Sequence, residues 1–328
     1  MKTLISNFSK QLEEAIDIGK NAQLSRPVNE ITNVLISGLG GSGIGGSIVS
    51  EIVENEASVP INVNKDYFIP QYVDQHTLMI ISSYSGNTEE TISAMNLAGN
   101  KNAEIVCITS GGEVLDTAKK NNLNYIVIPG GMPPRACLGY SMTQLLYILH
   151  HFGIIGNSFK TDIEASIKLL YEEEENIIKQ AKSIAQRLFN KIPIIYSTAS
   201  NAGVAVRFRQ QLNENAKMLC WTNVLPEMNH NELVGWRKKN EELAIVIFRN
   251  DTDFSRTQKR IEICKDIFAK YTSTIIEIYS RGNSHIEKAI YLIHLGDWAS
   301  FFLSELNKVD VMEIEVINYL KSELAKIS

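Results

Sequence analysis

Short apolar runs alternate with helical patterns in the first half of the chain. Each run leads through a polar or glycine-rich turn into a stretch with helical spacing. The runs predict strands at 34–36, 61–63, 78–81, 104–108 and 125–128. Short apolar strands that alternate with helices are typical of a parallel sheet with helices on both faces.

The same pattern returns in the second half of the chain. Strands are predicted at 192–196, 243–248 and 274–279, and helices at about 205–219, 253–270 and 284–305. Further helices are predicted at 4–20, 162–189 and 311–326. The chain has 328 residues, which is long for a single hydrophobic core. We therefore predict an α/β fold of two tandem α-β-α sandwich domains with mostly parallel sheets, at residues 1–152 and 153–328.

Composition narrows the class of protein. The content of 44% hydrophobic and 21% charged residues is ordinary for a globular protein, and a net charge of −5 argues against a nucleic-acid partner. The four cysteines are far apart and form no CxxC pair, which favours free thiols in a reducing compartment. No signal peptide or membrane-spanning run is visible in the sequence. These observations predict a cytoplasmic protein without a membrane partner.

The turn between the strand at 78–81 and the next helix is rich in hydroxyl groups. Ser83, Ser85 and Thr88 could all face one anion there, and a helix N-terminus adds partial positive charge. This combination favours a phosphate-binding turn. The alternative is an ordinary helix N-cap, in which Thr88 works with Glu90 and Thr91.

A glycine-rich turn follows the first strand and leads into a helix predicted at 47–53. Gly38, Gly40 and Gly43 satisfy the GxGxxG pattern of dinucleotide-binding proteins, and Asp66 lies at a suitable distance downstream. Ser42 adds a hydroxyl group that such a turn does not need. Together with the second hydroxyl-bearing turn, it favours a compact phosphate over NAD, which stays as the alternative.

Three later side chains are candidates for chemistry. Arg135 follows two prolines at strand ends, where it could meet developing negative charge, although most arginines lie at the surface. Glu214 lies between two asparagines, which are poor helix formers, whereas a helical glutamate is usually only solvated. His230 could move protons near neutral pH, but a capping or packing histidine is equally compatible with the sequence.

The sequence shows no triad of nucleophile, base and orienting acid, and no histidine pair with metal-ligand spacing. General acid–base chemistry on a phosphorylated small molecule is therefore favoured, with neither metal nor cofactor.

Five motifs in this order resemble those of bifunctional phosphoglucose/phosphomannose isomerases of the sugar isomerase (SIS) superfamily. They are Gly40-Gly41-Ser42-Gly43, Ser83-Tyr84-Ser85-Gly86-Asn87-Thr88, Pro133-Pro134-Arg135, Asn213-Glu214-Asn215-Ala216-Lys217 and Asn229-His230-Asn231-Glu232. The serine-rich turn marks SIS domains in general, and the other motifs narrow the resemblance to this branch.

The resemblance implies two SIS-type domains and a hexose 6-phosphate substrate. Glucose 6-phosphate and mannose 6-phosphate would each be interconverted with fructose 6-phosphate through a shared cis-enediol. The residues that would hold the phosphate and nearby oxygens are Gly41, Ser42, Ser83, Ser85 and Thr88.

The resemblance also implies roles in catalysis. Glu214 would move a proton between C1 and C2, and Arg135 would stabilise the enediolate. His230 would assist ring opening from the partner subunit, which implies a homodimer. A lysine on the C-terminal helix would share in ring opening, and Lys321 matches it best. Lys308 is the rival, Lys326 is more distant, and an unremarkable surface lysine is the remaining alternative.

Two other classes of protein stay open. A non-catalytic SIS sensor would bind a sugar phosphate and regulate a partner, and it would need only the phosphate-binding turns. An NAD-dependent enzyme would use the GxGxxG turn. An isomerase alone requires Glu214, Arg135 and His230 together.

Overall fold

The structure, a computed structural model, describes residues 1–326. The strands are β1 (Asn33–Ser37), β2 (Ile61–Asn64), β3 (Thr77–Ser82), β4 (Glu104–Thr109), β5 (Asn124–Val127), β6 (Ile192–Thr198), β7 (Trp221–Leu225), β8 (Leu243–Arg249) and β9 (Ile275–Tyr279). The helices are α1 (Lys2–Ser6), α2 (Phe8–Asn21), α3 (Gly40–Ile52), α4 (Glu89–Asn100), α5 (Gly112–Lys120), α6 (Leu138–His151), α7 (Ser158–Leu188), α8 (Ala202–Ala216), α9 (Ser255–Phe268), α10 (His285–Asn307) and α11 (Glu315–Leu324).

The strands form two separate parallel sheets. The first has the order β2-β1-β3-β4-β5 and the second has the order β7-β6-β8-β9. Every strand pair in both sheets is parallel. The predicted α/β fold with two sheets is therefore confirmed. Each sheet starts with a central strand and adds neighbours on both sides of it, which creates a crevice at the carboxyl ends of the strands.

The helices join the two halves through a common core. One cluster of buried apolar residues contains side chains from both halves of the chain. Helix α10 packs against both α7 and α8, and α8 packs against α3 of the first half. Because nearly all of α10 is surrounded by protein, its sequence is apolar on every side, as at Tyr291 and Trp298.

The glycine-rich stretch departs from its prediction. The sequence places the start of the helix at Ser47, but α3 already begins at Gly40. The glycines serve close packing: a Cβ on Gly43 would lie 2.3 Å from the carbonyl oxygen of Gly38, and one on Gly46 would lie 2.9 Å from Ile36. Low helix propensity is therefore overruled by the need for a close approach of α3 to the sheet.

Strand β7 is absent from the predictions. It is an edge strand with only Leu225 buried, so its sequence lacks the apolar run that identified the other strands. The C-terminal helix α11 is shorter than predicted and starts at Glu315. Among residues 1–326, no helix has the length and apolar character needed to cross a membrane.

Candidate active site

Three loops meet at the carboxyl end of the first sheet. Strands β1 and β3 are neighbours, and the glycine turn after β1 therefore lies beside the hydroxyl turn after β3. The amide of Tyr84 donates to Oγ of Ser42 over 3.2 Å and links these two turns. The amide of Met132, in the loop after β5, donates to the hydroxyl of Tyr84 over 3.1 Å. The crevice between β1 and β3 is the place where open α/β sheets bind ligands.

The hydroxyl turn lies at the start of α4, where either a helix N-cap or a phosphate-binding turn could form. Its hydrogen bonds favour an open anion site. Thr88 occupies the N-cap position of α4, yet its hydroxyl does not cap the helix. It accepts instead from Oγ of Ser83 over 3.2 Å, while Ser85 is exposed. The first amides of a helix have no intrahelical acceptor, and those of α4 are therefore not satisfied by Thr88.

The turn is held in place by the loop after β4. Gly86 has φ of 71°, and a Cβ there would lie 1.8 Å from the carbonyl oxygen of Gly111. The amide of Ser110 and its hydroxyl both donate to the carbonyl of Tyr84. Only glycine tolerates this combination of positive φ and close approach, which explains its place among the hydroxyl residues.

The loop after β5 that contains Pro133 and Pro134, here called the proline loop, brings Arg135 to the glycine turn. A Cβ on Gly41 would lie 2.9 Å from the carbonyl oxygen of Pro134, so these two loops are in direct contact. The side chain of Arg135 is 4% exposed, and each of its three nitrogens has a partner. Nε donates to Oδ1 of Asn215 over 2.8 Å, Nη1 to Oε2 of Glu214 over 3.4 Å, and Nη2 to the carbonyl of Val311 over 2.7 Å.

Burial lowers the pKa of the Arg135 guanidinium, and the carboxylate of Glu214 opposes that shift. An arginine keeps its charge in such surroundings. The 3.4 Å contact is longer than a strong charge-assisted hydrogen bond, so the two groups face each other without being locked together. An oxyanion placed between them could take over the interaction with Nη1.

Glu214 lies in the last turn of α8 and borders a cavity of about 410 Å³. Its side chain is 30% exposed, which contradicts the interpretation of a freely solvated surface glutamate. The cavity is lined by the end of α8, by the residues that follow it, and by the segment that leads into the first turn of α11. A carboxylate beside a cationic guanidinium and an open cavity can accept a proton from a bound molecule.

No local sequence pattern predicts the buried polar network that lies behind Arg135. Arg207 donates to the backbone carbonyl of Arg135 and to both carboxylate oxygens of Asp297. Asn215, which holds Nε of Arg135, donates in turn to Oγ of Ser300. Asn215 carries a signal in the sequence, since an asparagine is unexpected inside a helix. Arg207 and Asp297 carry none, because 90 residues separate them.

The structure leaves His230 and the C-terminal lysine apart from this pair. His230 is exposed at the end of a short 3-10 turn, Glu227–His230, after β7. Lys321 is exposed on α11. In the described part of the chain, neither side chain makes a hydrogen bond or ion pair with Glu214 or Arg135. Lys308 and Lys326 are also exposed.

The fold and this arrangement of loops place the chain in a structural class. The C-terminal domain of glucosamine-fructose-6-phosphate aminotransferase from Francisella tularensis superposes with a TM-score of 0.74 at 13% identity, over 94% of this chain and 97% of that domain. The predicted two SIS-type sandwich domains are thus confirmed at the level of the fold. A family model for the bacterial phospho-glucose isomerase C-terminal SIS domain matches residues 177–324.

Similarity to curated proteins identifies the family. A bifunctional phosphoglucose/phosphomannose isomerase of Caldicellulosiruptor bescii is 39% identical over 98% of both chains. Another, from Aquifex aeolicus, is 34% identical over 92% of this chain and 93% of its own length. The chain belongs to the bifunctional phosphoglucose/phosphomannose isomerase family, as its motifs suggested.

Proposed function

We propose that this protein is an aldose–ketose isomerase of hexose 6-phosphates. It interconverts glucose 6-phosphate and fructose 6-phosphate, and mannose 6-phosphate and fructose 6-phosphate, through one cis-enediol. The observation that carries this proposal is the contact of Arg135 with Glu214, because a sensor needs no such pair. Membership of the family supports the choice of substrates.

In this proposal the two turns at the crevice bind the phosphate. Gly41 offers its backbone, and Ser42, Ser83, Ser85 and Thr88 offer hydroxyl groups beside the N-terminus of α4. Phosphate binding fixes the sugar at a point distant from the reacting carbons. It contributes orientation and lowers the entropic part of the barrier.

Glu214 acts as the base that transfers a proton between C1 and C2. A sugar C–H group is a very weak acid, so the developing enediolate needs a nearby positive charge. Arg135 supplies that charge from a buried position, where water screens it little. Glucose and mannose 6-phosphates differ only at C2 and give the same enediol, so rotation about C2–C3 lets one site accept both.

In this proposal, the residues that assist ring opening do not contact Glu214 or Arg135 of their own chain. We propose that His230 reaches the site of a partner subunit in a homodimer, consistent with its exposure away from Glu214. Lys321 is the proposed lysine. Ile317 of α11 borders the cavity of Glu214, and Lys321 follows it by one helical turn on the same face.

The remaining parts of the proposal concern the whole chain. We place the domain boundary between residues 152 and 153, just before α7, which packs chiefly on α10 of the second half. We also propose a cytoplasmic enzyme that serves hexose phosphate interconversion in glycolysis and gluconeogenesis and needs no metal. The second candidate function is a non-catalytic sugar-phosphate sensor, which the open hydroxyl turn alone would favour.

The test is conversion of fructose 6-phosphate to glucose 6-phosphate and mannose 6-phosphate in the presence of EDTA. We expect turnover by the wild type and a loss of about 10²–10⁴-fold in kcat for Glu214→Gln, which keeps the shape but removes the base. Glu175→Gln, at an exposed site on α7, is the matched control and should keep full activity.

Each other outcome of this assay would point to a different conclusion. Full activity of Glu214→Gln would remove the base assignment. Absence of wild-type turnover, with retained binding of the sugar phosphate, would favour the sensor. A change in nicotinamide absorbance without coupling enzymes would favour the NAD-dependent enzyme instead, and loss of turnover in EDTA would reveal a metal requirement.

A further inference from the structure

Helix α11 buries very little of its surface against the rest of the protein. None of its residues is buried, and Val316, Tyr319 and Leu320 are more than half exposed. The cavity beside Glu214 lies where α11 meets the end of α8. A helix with so little buried surface depends for its position on the few contacts at its start.

Lys217 makes such a contact. It follows the last residue of α8 and has φ of 57°, a left-handed conformation that glycine would adopt without cost. Its ammonium group donates to the carbonyl of Glu214 over 2.5 Å and also to the carbonyl of Glu313. The carboxylate of Glu313 is 3.8 Å from the same nitrogen. The lysine thus connects the turn of the proposed base to the residues before α11.

A second cation holds the same segment. Arg135 donates through Nη2 to the carbonyl of Val311, two residues before Glu313. The segment Val311–Glu313 is therefore fastened at both ends by cations that also contact Glu214. Arg135 has its own proposed role toward the substrate, whereas Lys217 has none.

We propose that Lys217 is a positioning residue for the isomerisation. It fastens the start of α11 to the end of α8 and thereby sets the position of the helix face that carries Ile317, which borders the cavity, and Lys321 one turn further on. Lys217 itself does not touch the reacting atoms. This inference rests on the proposed function, since it acts through Lys321.

The first measurement is amide hydrogen exchange of α11 in Lys217→Gly. Glycine suits the left-handed backbone, and the substitution removes the Lys217 side chain together with its ammonium group, so the variant should fold. We expect exchange in Glu315–Leu324 to accelerate about tenfold or more, as its local opening becomes easier. Asn190→Gly is the matched control: Asn190 also follows a helix end with φ of 58°, but it is exposed and does not border the cavity.

The second measurement is a double-mutant cycle with Lys321→Ala. We expect Lys217→Gly to lower kcat about tenfold with little change in KM. The conservative variant Lys217→Arg should keep most of the wild-type kcat. In the Lys321→Ala background the same substitution should have no further effect on kcat.

Three outcomes would overturn the proposal. Exchange of α11 that is unchanged in Lys217→Gly would show that the lysine does not hold the helix. Faster exchange with unchanged kcat would show that the position of α11 does not matter for turnover. An equal loss of kcat in the wild-type and Lys321→Ala backgrounds would show that Lys217 acts by another route. If the wild type lacks isomerase activity, the proposed function fails, and hydrogen exchange alone then decides whether Lys217 holds α11.

Discussion

The surroundings of Arg135 hold its guanidinium in one orientation. Its three nitrogens have three different acceptors: a neutral amide, a carboxylate and a backbone carbonyl. The neutral acceptor is Asn215, which fixes the orientation of the guanidinium and adds no second negative charge beside that of Glu214. A carboxylate at that position would pair with the arginine and reduce its attraction for an enediolate.

This difference gives a prediction about charge at position 215. Asn215→Asp should lower kcat about tenfold or more, because the new carboxylate neutralises Arg135. Asn215→Leu, which leaves Nε of Arg135 without an acceptor, should destabilise the protein by about 1–3 kcal/mol. Steady-state kinetics and denaturant unfolding measure the two effects.

We therefore expect Asn215→Asp to lose mainly kcat and Asn215→Leu to lose mainly stability. Asn121→Asp, at the exposed end of α5, controls for an added negative charge. A greater loss of kcat in Asn215→Leu than in Asn215→Asp would show that shape and not charge governs the position.

Helices α3 and α8 together join the two halves of the chain. Each begins after the first strand of its sheet, and the two pack against each other. Glu214 near the end of α8 faces the loop beside the start of α3, and Glu51 near the end of α3 faces the start of α8. Both oxygens of Glu51 lie 2.8 Å from the amide nitrogen of Gly203. The protein thus places its own carboxylate at the start of α8, whereas the turn at the start of α3 is one of the two proposed to bind the substrate phosphate.

Glu51 predicts a dependence of stability on pH. Burial raises its pKa from 4.5 to about 7, against the hydrogen bond from Gly203; Glu54 raises this pKa further and Lys65 lowers it. Because the folded protein holds this proton more tightly than the unfolded chain does, stability should fall as pH rises from about 4.5 through 7. Glu51→Gln cannot titrate and should be free of this loss, which amounts to up to roughly 3 kcal/mol.

Urea unfolding of the wild type and Glu51→Gln from pH 4.5 to 8 checks this prediction. The difference between the two proteins should grow with pH and become constant above about 8. Glu175→Gln, which changes an exposed carboxylate on α7, serves as the control. Parallel stability curves for wild type and Glu51→Gln would show that Glu51 has the same affinity for its proton in the folded and unfolded chains.

At the scale of the whole molecule, the proposed site is incomplete within one chain. Glu214 and Arg135 meet at the junction of the two halves, whereas His230 lies exposed after the edge strand β7. A symmetric dimer supplies the same surface twice, so a residue given by each subunit to the other completes two equal sites.

Mixing two inactive variants tests this arrangement. If His230 acts in the partner's site, a heterodimer of Glu214→Gln and His230→Ala contains one site with both native residues. Random exchange of subunits then makes about half of the dimers heterodimers and restores about one quarter of wild-type activity. Activity measured after subunit exchange should reach this level. No recovery, despite formation of heterodimers, would place His230 in the site of its own chain or outside the reaction.

Local sequence determined the strands, the turns and most helices of this protein, because each is set by neighbours a few residues apart. Apolar runs located eight of the nine strands described in residues 1–326, and glycine and hydroxyl residues marked the two turns that we propose bind the phosphate. The exception, β7, lies at a sheet edge and has little apolar surface to bury.

Only the tertiary structure decided which side chains meet. Arg135 and Glu214 are 79 residues apart, and their contact depends on α8 packing against α3 and the proline loop. Asn215, Arg207 and Lys217 likewise take partners from segments 72 to 96 residues away, apart from the local bond of Lys217 to Glu214. Such contacts result from the packing of whole helices around a shared core, and no local pattern in the sequence encodes them.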